Sequence, residues 1–381
     1  MPTLNETHKI SGHVNVGFEP VYEAFLSNFE NELEAGAGFC VMRDGEFLVD
    51  LTGGTSDRKR TQPWKNDTIV QVFSSTKAIA ALVIAWLVEN GRLNYEQPIE
   101  SIWPAFAAHG KGELTIAQIM SHQSGLSGIT EPMDRNDWVR WDFICDRLAS
   151  QKPIWEPGTA SGYHPLTYGF LVGEIGRRAD AQNRTLGTIL REEICAPNQI
   201  DFHIGMPKSE FHRCADLHKP RAFADLGDIN PATKAAFMEK WSSTAGIDVD
   251  AMRNAELPAA NGHGTAKSLA RLMQIAVDGK IGDRTYLGEH TLYEFSKPRI
   301  SGPDLVLPFH LTFAAGIMIN HPIYFYGPNQ ATLGHSGWGG SCTFADPIEG
   351  LSVGYVMNKQ SNVLIGDPRP VKIIDALYSC L

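Results

Sequence analysis

Apolar residues at Phe18, Tyr22, Phe25, Phe29 and Leu33 recur at helical spacing and predict an amphipathic helix near the N-terminus. Two apolar runs follow, Phe39 to Met42 and Phe47 to Leu51, flanking Arg43-Asp44-Gly45-Glu46. Asp-Gly between such runs predicts a β-hairpin, because both central residues of the tight turn need a positive φ. From Ser74 the pattern becomes almost continuously apolar. Ile79, Leu82, Val83 and Trp86 form a stripe and alanines fill most of the remaining surface, which predicts a helix buried on all sides. Glu89-Asn90-Gly91 reads as its stop, with Leu93 placed for the apolar contact that accompanies a glycine cap. The stretch from about 100 to 245 is richer in helical patterns and loops, punctuated by Trp155-Glu156-Pro157-Gly158. Strand-like runs return at Ala314 to Ile319, Cys342 to Ala345 and Leu351 to Met357, the last two split by Asp346-Pro347-Ile348-Glu349-Gly350. An amphipathic helix around Val371, Ile374, Leu377 and Tyr378 closes the pattern.

Helix and strands, then helices, then strands and helix imply an α/β protein of the α+β type. Its sheet domain is expected from residues 1–100 and 245–381, with a mostly helical subdomain inserted at 101–244. A net charge of -10 argues against nucleic-acid binding, which needs a basic surface. The one dense basic run, Arg58-Lys59-Arg60, follows Gly53-Gly54 and reads as a solvated loop. The longest apolar run, Ala78 to Val88, is too short to span a bilayer. No signal-peptide pattern opens the chain, and the six cysteines are scattered without a Cys-x-x-Cys pair. These features predict a cytoplasmic protein with reduced thiols. Thirteen histidines include no His-Glu-x-x-His and no metal-ligand spacing, so neither metal nor cofactor is expected.

The chemistry concentrates at Ser74-Ser75-Thr76-Lys77. Residues three apart share a helix face, so the Lys77 amine can reach the Ser74 hydroxyl. Burial disfavours the ammonium form and lowers a lysine pKa from about 10.4, which would let Lys77 take the serine proton. The helix N-terminus would also stabilise negative charge at the serine. A second copy of the spacing, Ser56-Asp57-Arg58-Lys59, lies in a charged, glycine-flanked segment where the lysine stays solvated. Gly350-Leu351-Ser352-Val353-Gly354 matches the G-x-S-x-G nucleophile elbow, which requires a strand, a sharp turn at the serine and a helix. Here apolar residues continue through Ser352 to Met357, so Ser352 is expected inside a strand.

Several blocks extend the pattern in order along residues 40 to 360. They are Val72 to Lys77, Ser121-His122-Gln123-Ser124-Gly125-Leu126, Pro157-Gly158-Thr159, Gly162-Tyr163-His164, Asn261-Gly262-His263-Gly264-Thr265-Ala266 and Gly334 to Ser341. Together they resemble the class C β-lactamase and penicillin-binding-protein superfamily, and within it the family VIII carboxylesterases. The resemblance implies a central antiparallel sheet with helices on both faces and a site in a cleft beside the helical subdomain. It makes Tyr163 the second basic partner of Ser74, in preference to Tyr168. Where β-lactamases carry Tyr-x-Asn, this chain has Tyr163-His164-Pro165. Their Lys-Thr-Gly is absent, and its counterpart is either His335-Ser336-Gly337 or Trp338-Gly339-Gly340. The amide of Trp338 or Ser341 would then join that of Ser74 as an oxyanion hole. His335, Gly339 and Gly340 would line the substrate site, with Trp155 and Trp338 as candidate walls.

Losing the asparagine and the lysine removes two polar groups suited to the amide and carboxylate of a β-lactam. The implied activity is a serine carboxylesterase acting on small short-chain acyl esters. The alternatives are a β-lactamase, a D-alanyl peptidase or acyltransferase, and a non-catalytic penicillin-recognising module.

Overall fold

The expected hairpin organises the sheet. Gly36–Arg43 (β3) and Glu46–Gly54 (β4) pair antiparallel, and Asp44 and Gly45 both have positive φ, 52° and 78°, as the two-residue turn demands. The computed structural model describes residues 3–5, 8–220 and 222–381. Eight more strands complete a ten-stranded sheet: Thr3–Asn5 (β1), Ile10–Val14 (β2), Ile300–Pro303 (β5), His310–Phe313 (β6), Met318–Ile319 (β7), Leu333–Ser336 (β8), Cys342–Asp346 (β9) and Leu351–Met357 (β10). The spatial order is β1-β2-β4-β3-β10-β9-β8-β7-β6-β5, every neighbouring pair antiparallel. The central seam joins β3 to β10, with Cys40 opposite Gly354 and Phe39 opposite Tyr355.

Both faces of this seam are covered, which is why Phe39-Cys40-Val41-Met42 reads as an unbroken apolar run. Phe39 and Val41 pack with Val21, Phe25 and Phe29 of Glu19–Glu30 (α1) and with Ile373, Ile374 and Leu377 of Pro368–Tyr378 (α5). Cys40 and Met42 face the opposite layer, with Leu269 and Met273 of Ala266–Asp278 (α4). Gly354 lets α4 come close, since a Cβ there would lie 2.2 Å from the Ala266 carbonyl oxygen. Ser352 is fully buried in β10 and its hydroxyl donates to Gln274 of α4 at 3.2 Å. The G-x-S-x-G match is therefore a turn glycine, a strand serine and a helix-packing glycine.

Thr76–Glu89 (α2) is buried nearly all round and packs against Thr167–Ala179 (α3). Its stop is the one expected: Gly91 has φ 66°, its amide bonds the Val88 carbonyl and the Arg92 amide bonds that of Leu87. Two boundaries differ from the sequence pattern. Leu33 falls beyond α1 and is exposed, because the chain turns at Glu32, where φ is 55°. Of the run Ala314 to Ile319 only Met318–Ile319 is strand, because the chain bends at Gly316, φ 88°. Among the described residues no helix is long and apolar enough to cross a membrane, and all six cysteines are free.

Candidate active site

Ser74 sits at the head of α2, raised by a backbone kink. Phe73 has φ 46°, in the left-handed region that aromatic residues rarely enter. Such a conformation persists only where neighbours hold it. Here a small sheet supplies the hold: Val70–Gln71 pairs with His263–Gly264, which pairs with Phe202–His203. The Val72 amide donates to the Gly262 carbonyl at 2.8 Å, the Gly262 amide donates to Thr76 Oγ1 at 2.9 Å, and the Thr76 amide returns to the Phe73 carbonyl at 2.9 Å. Ser74 is left partly exposed on the rim.

Lys77, one turn on, is fully buried. Its Nζ lies 3.0 Å from Ser74 Oγ, 2.9 Å from the Pro165 carbonyl and 3.0 Å from the Ala259 carbonyl. Among the described residues no carboxylate pairs with it, and burial pushes its pKa well below the ordinary lysine range. A neutral amine has two hydrogens and one lone pair. The two carbonyls can only accept, so they take both hydrogens and the lone pair is left for the serine hydroxyl. The last position of the motif that Tyr163 opens thus contributes through its backbone: Pro165 offers a carbonyl where an asparagine would offer an amide side chain.

Tyr163 completes the group. Its ring centroid is 4.7 Å from Lys77 Nζ, and its phenol lies close enough to Ser74 for the serine to favour the ionised form slightly. Burial raises its pKa, which keeps it a phenol. Tyr168, the rival tyrosine, directs its hydroxyl to the Gly316 carbonyl at 3.4 Å instead. The segment carrying Tyr163 is held on three sides. Asp304 Oδ1 accepts from the Tyr163 amide at 2.9 Å and from the Val306 and Leu307 amides. The Gly162 amide donates to the His122 carbonyl at 3.0 Å, and the His164 amide donates to His122 Nδ1 at 3.2 Å. His164 Nδ1 donates to the Gly162 carbonyl, so its Nε2 is the acceptor for Ser124 Oγ at 2.7 Å and for the Leu126 amide at 3.3 Å. Burial, with Lys77 nearby, lowers the His164 pKa to about 3, and this imidazole stays neutral.

The His335-to-Ser341 stretch lies across the mouth of α2. His335 and Ser336 end β8, Gly337 opens the turn, and Ser75 Oγ reaches the His335 carbonyl at 3.4 Å. A Cβ on Gly337 would sit 2.2 Å from the Val72 carbonyl oxygen, so the turn lies flush against the strand that leads to Ser74. Ser341 Oγ is buried beneath, donating to the Val72 carbonyl at 2.7 Å. His335 Nδ1 donates to the Ser336 carbonyl at 2.8 Å, and its Nε2 is a buried acceptor without a partner. Burial first, then Lys77, lowers its pKa to about 3. Gly339 and Gly340 have φ of 91° and 124°. Gly339 backs onto Gln360, and a Cβ on Gly340 would lie 2.4 Å from Arg369 Nη2 and 2.7 Å from Asp367 Oδ2. Gly340 thus fits the turn to a buried ion cluster, and Gly339 fits it to Gln360. Among the described residues neither the Ser74 nor the Trp338 amide has a protein acceptor. Trp338 is half-buried, as is Trp155, which leans on Gly162 and donates Nε1–H to the Ala160 carbonyl at 3.1 Å.

Sequence reasoning reached Ser74, Lys77, Tyr163 and the turn. It did not reach the carbonyls of Pro165 and Ala259, because backbone acceptors leave no mark on residue type. It also passed over Asp304 and the His122–His164–Ser124 lattice, although Ser121 to Leu126 had marked the place. The other S-x-x-K spacing is not a site: Lys59 is exposed in a turn.

Comparison with known proteins adds kinship to this geometry. Residues 25–377 match the family described as Beta-lactamase. The chain is 31% identical to the esterase/beta-lactamase LipL of Mycobacterium tuberculosis over 375 residues, 94% of this chain and 85% of that protein. A penicillin-binding protein homolog from Caulobacter crescentus superposes with a TM-score of 0.95 at 48% identity, over 98% of this chain and all of the other. A family VIII carboxylesterase superposes with a TM-score of 0.92 at 36% identity, over 98% of this chain and 100% of the other.

Proposed function

The chain belongs to the β-lactamase family of serine hydrolases, and on that premise we propose that it is a carboxylesterase acting on short-chain acyl esters through an acyl-enzyme on Ser74. The observation that carries this reading is the commitment of both Lys77 hydrogens to the carbonyls of Pro165 and Ala259, which turns the amine lone pair to Ser74 Oγ. Ser74 attacks the ester carbonyl carbon and its proton passes to Lys77 Nζ. The oxyanion forms against the amides of Ser74 and Trp338. Tyr163, beside Ser74 and Lys77, relays a proton from Lys77 to the departing alkoxide as the tetrahedral centre collapses. Water then attacks the acyl group by the same route in reverse and frees the acid. In this reading the segment 101–244 is a helical subdomain, and the cleft between it and the sheet domain admits the substrate.

Selectivity for esters over β-lactams rests on His335. A β-lactam carboxylate needs a cation or a donor. His335 presents an unpartnered acceptor, because its one N–H is tied to Ser336. The relatives support the reading by name: one is an esterase/beta-lactamase and one a family VIII carboxylesterase. The test is to treat the protein with a fluorophosphonate and map the adduct by mass spectrometry. The adduct should fall on the Ser74 peptide, and Ser74→Ala should lose most p-nitrophenyl butyrate hydrolysis while Ser56→Ala and Ser352→Ala keep it. An adduct on Ser352 overturns the assignment.

A further inference from the structure

Behind the turn that carries Trp338 lies a buried cluster of charge. Arg369, near the start of α5, commits all its N–H groups. Nε and Nη2 grip Asp367 at 3.0 and 2.8 Å, while Nη1 reaches Glu34 at 3.1 Å and the Lys359 carbonyl at 2.7 Å. Tyr355 donates to Glu34, Ser361 donates to Asp367, and Asn28 donates to the Arg369 carbonyl. Arg369 is 4% exposed, Glu34 4% and Asp367 5%. Burying such a set is costly and stabilises a fold little against an apolar replacement of the same size. A further contact of the cluster points to the catalytic turn.

Arg369 Nη2 donates to the Gly339 carbonyl at 2.6 Å. The same peptide unit ends in the Gly340 amide, which donates to the Gly337 carbonyl at 3.1 Å. That next peptide unit ends in the Trp338 amide, which has no protein acceptor. A guanidinium, two peptide groups and a vacant N–H therefore stand in series. Hydrogen-bonded peptides polarise one another, each strengthening the next by about 10–30%. A guanidinium N–H at the head of the series, a stronger donor than a peptide N–H, makes the last N–H a stronger donor in turn.

We propose that Arg369 is a positioning residue for ester hydrolysis, holding the Gly337–Ser341 turn and polarising the Trp338 amide toward the oxyanion through the Gly339 and Gly337 peptides. The proposal rests on the reading of Trp338 as an oxyanion donor to the Ser74 adduct. It gives the cluster a catalytic reason to be ionic and explains why both turn glycines sit directly on it.

The experiment compares the enzyme with Arg369→Lys and with the triple variant Glu34→Gln, Asp367→Asn, Arg369→Met. The triple variant removes the charges together and keeps the side-chain volumes, so that a folded protein remains where a single loss would strand a buried carboxylate. Thermal melts establish folding. Then kcat and KM are measured with p-nitrophenyl butyrate, and Ki with a trifluoromethyl ketone of the same chain length. Ser74 adds to this ketone and places an oxyanion where the ester's would form. Complete loss of an oxyanion donor costs about 10²–10³ in kcat, and a weakened donor should cost about tenfold. The folded triple variant should lose about that in kcat with KM nearly unchanged and Ki raised by the same factor. Arg369→Lys, which keeps a cation, should lose less. A triple variant that melts cooperatively and keeps kcat within about twofold overturns the proposal, as does a loss confined to KM or a Ki that does not follow kcat/KM. Fluorophosphonate labelling separates the two readings. If Ser74 is unlabelled in the unsubstituted enzyme, the proposed function fails; if Ser74 is labelled throughout and kcat holds, only the role of Arg369 fails.

Discussion

Replacing Lys77 with methionine should change how folding stability depends on pH, and the size of the change follows from where the amine sits. Lys77 is fully buried among carbonyls with no counter-ion, and burial drives its pKa well down. In the unfolded chain it titrates near the ordinary lysine value of about 10.4. Between these two values the unfolded state holds one proton more than the folded state. Stability therefore rises with pH across that window by about 1.36 kcal/mol per unit. It is fully present above the unfolded value and is lost as pH falls to the folded one. For each pH unit inside that window the native enzyme should gain about 1.4 kcal/mol that the Lys77→Met variant does not. Methionine leaves the Pro165 and Ala259 carbonyls without donors, a cost of about 1–3 kcal/mol each. That cost is independent of pH, so the slope of the difference carries the test and its sign at one pH does not. Urea denaturation of both proteins at matched pH values gives the difference directly, with all other titrating groups cancelling. A difference that stays flat over this range means Lys77 keeps its proton in the folded state, and the argument for it as the base falls.

The remaining predictions concern rate, selectivity and the turn. His335→Gln should leave the position of the acid limb of kcat/KM unchanged, since His335 and His164 are held near pKa 3; an inflection near pH 6 to 7 that this substitution removes would contradict the assignment of neutral imidazoles. p-Nitrophenyl butyrate should exceed nitrocefin in kcat/KM by about a hundredfold or more, at about 1.36 kcal/mol per tenfold for two missing carboxylate and amide contacts; parity would show that His335 does not exclude carboxylates. Gly340→Ala should destabilise by about 3 kcal/mol or more, combining a positive φ with a Cβ at 2.4 Å from Arg369, whereas Gly45→Ala in open space should cost about 1–2 kcal/mol. Equal melting shifts for the two would mean that the turn does not rest on the cluster.

What could be read in the chain was whatever depends on residue type within a short span. Asp44-Gly45 gave its turn because few residues tolerate two positive φ values, and the helix stop at Gly91 formed for the same reason. Ser74 and Lys77 stood out because a lysine in an apolar helix is costly unless used. Leu33 kept the helical period but lay past the point where the backbone had already turned, since periodicity registers spacing and not termination. The two-residue strands Val70–Gln71, His263–Gly264 and Phe202–His203 are too short to show alternation, yet they bring the Ala259 carbonyl to Lys77. Glycines 339 and 340 were visible as a motif, but their purpose depends on Arg369, which lies about thirty residues later and beside Glu34 from the other end of the chain.

The seam between β3 and β10 also governs how the molecule comes into being. Residues 36–43 wait for partners at 351–357, so about 300 further residues must be synthesised before the middle of the sheet can close. Until then β3 is an open edge with an apolar residue at nearly every position, the kind of surface that recruits strands from other chains. Long-range pairing of this kind folds slowly. A recombinant version cut before residue 351 would lose more than a tail: it would expose the centre of the sheet and remove α5 with it. Yield in a heterologous host should accordingly improve with slower synthesis at low temperature, and fusions that crowd the last strand and helix should fare worse than fusions at the other end.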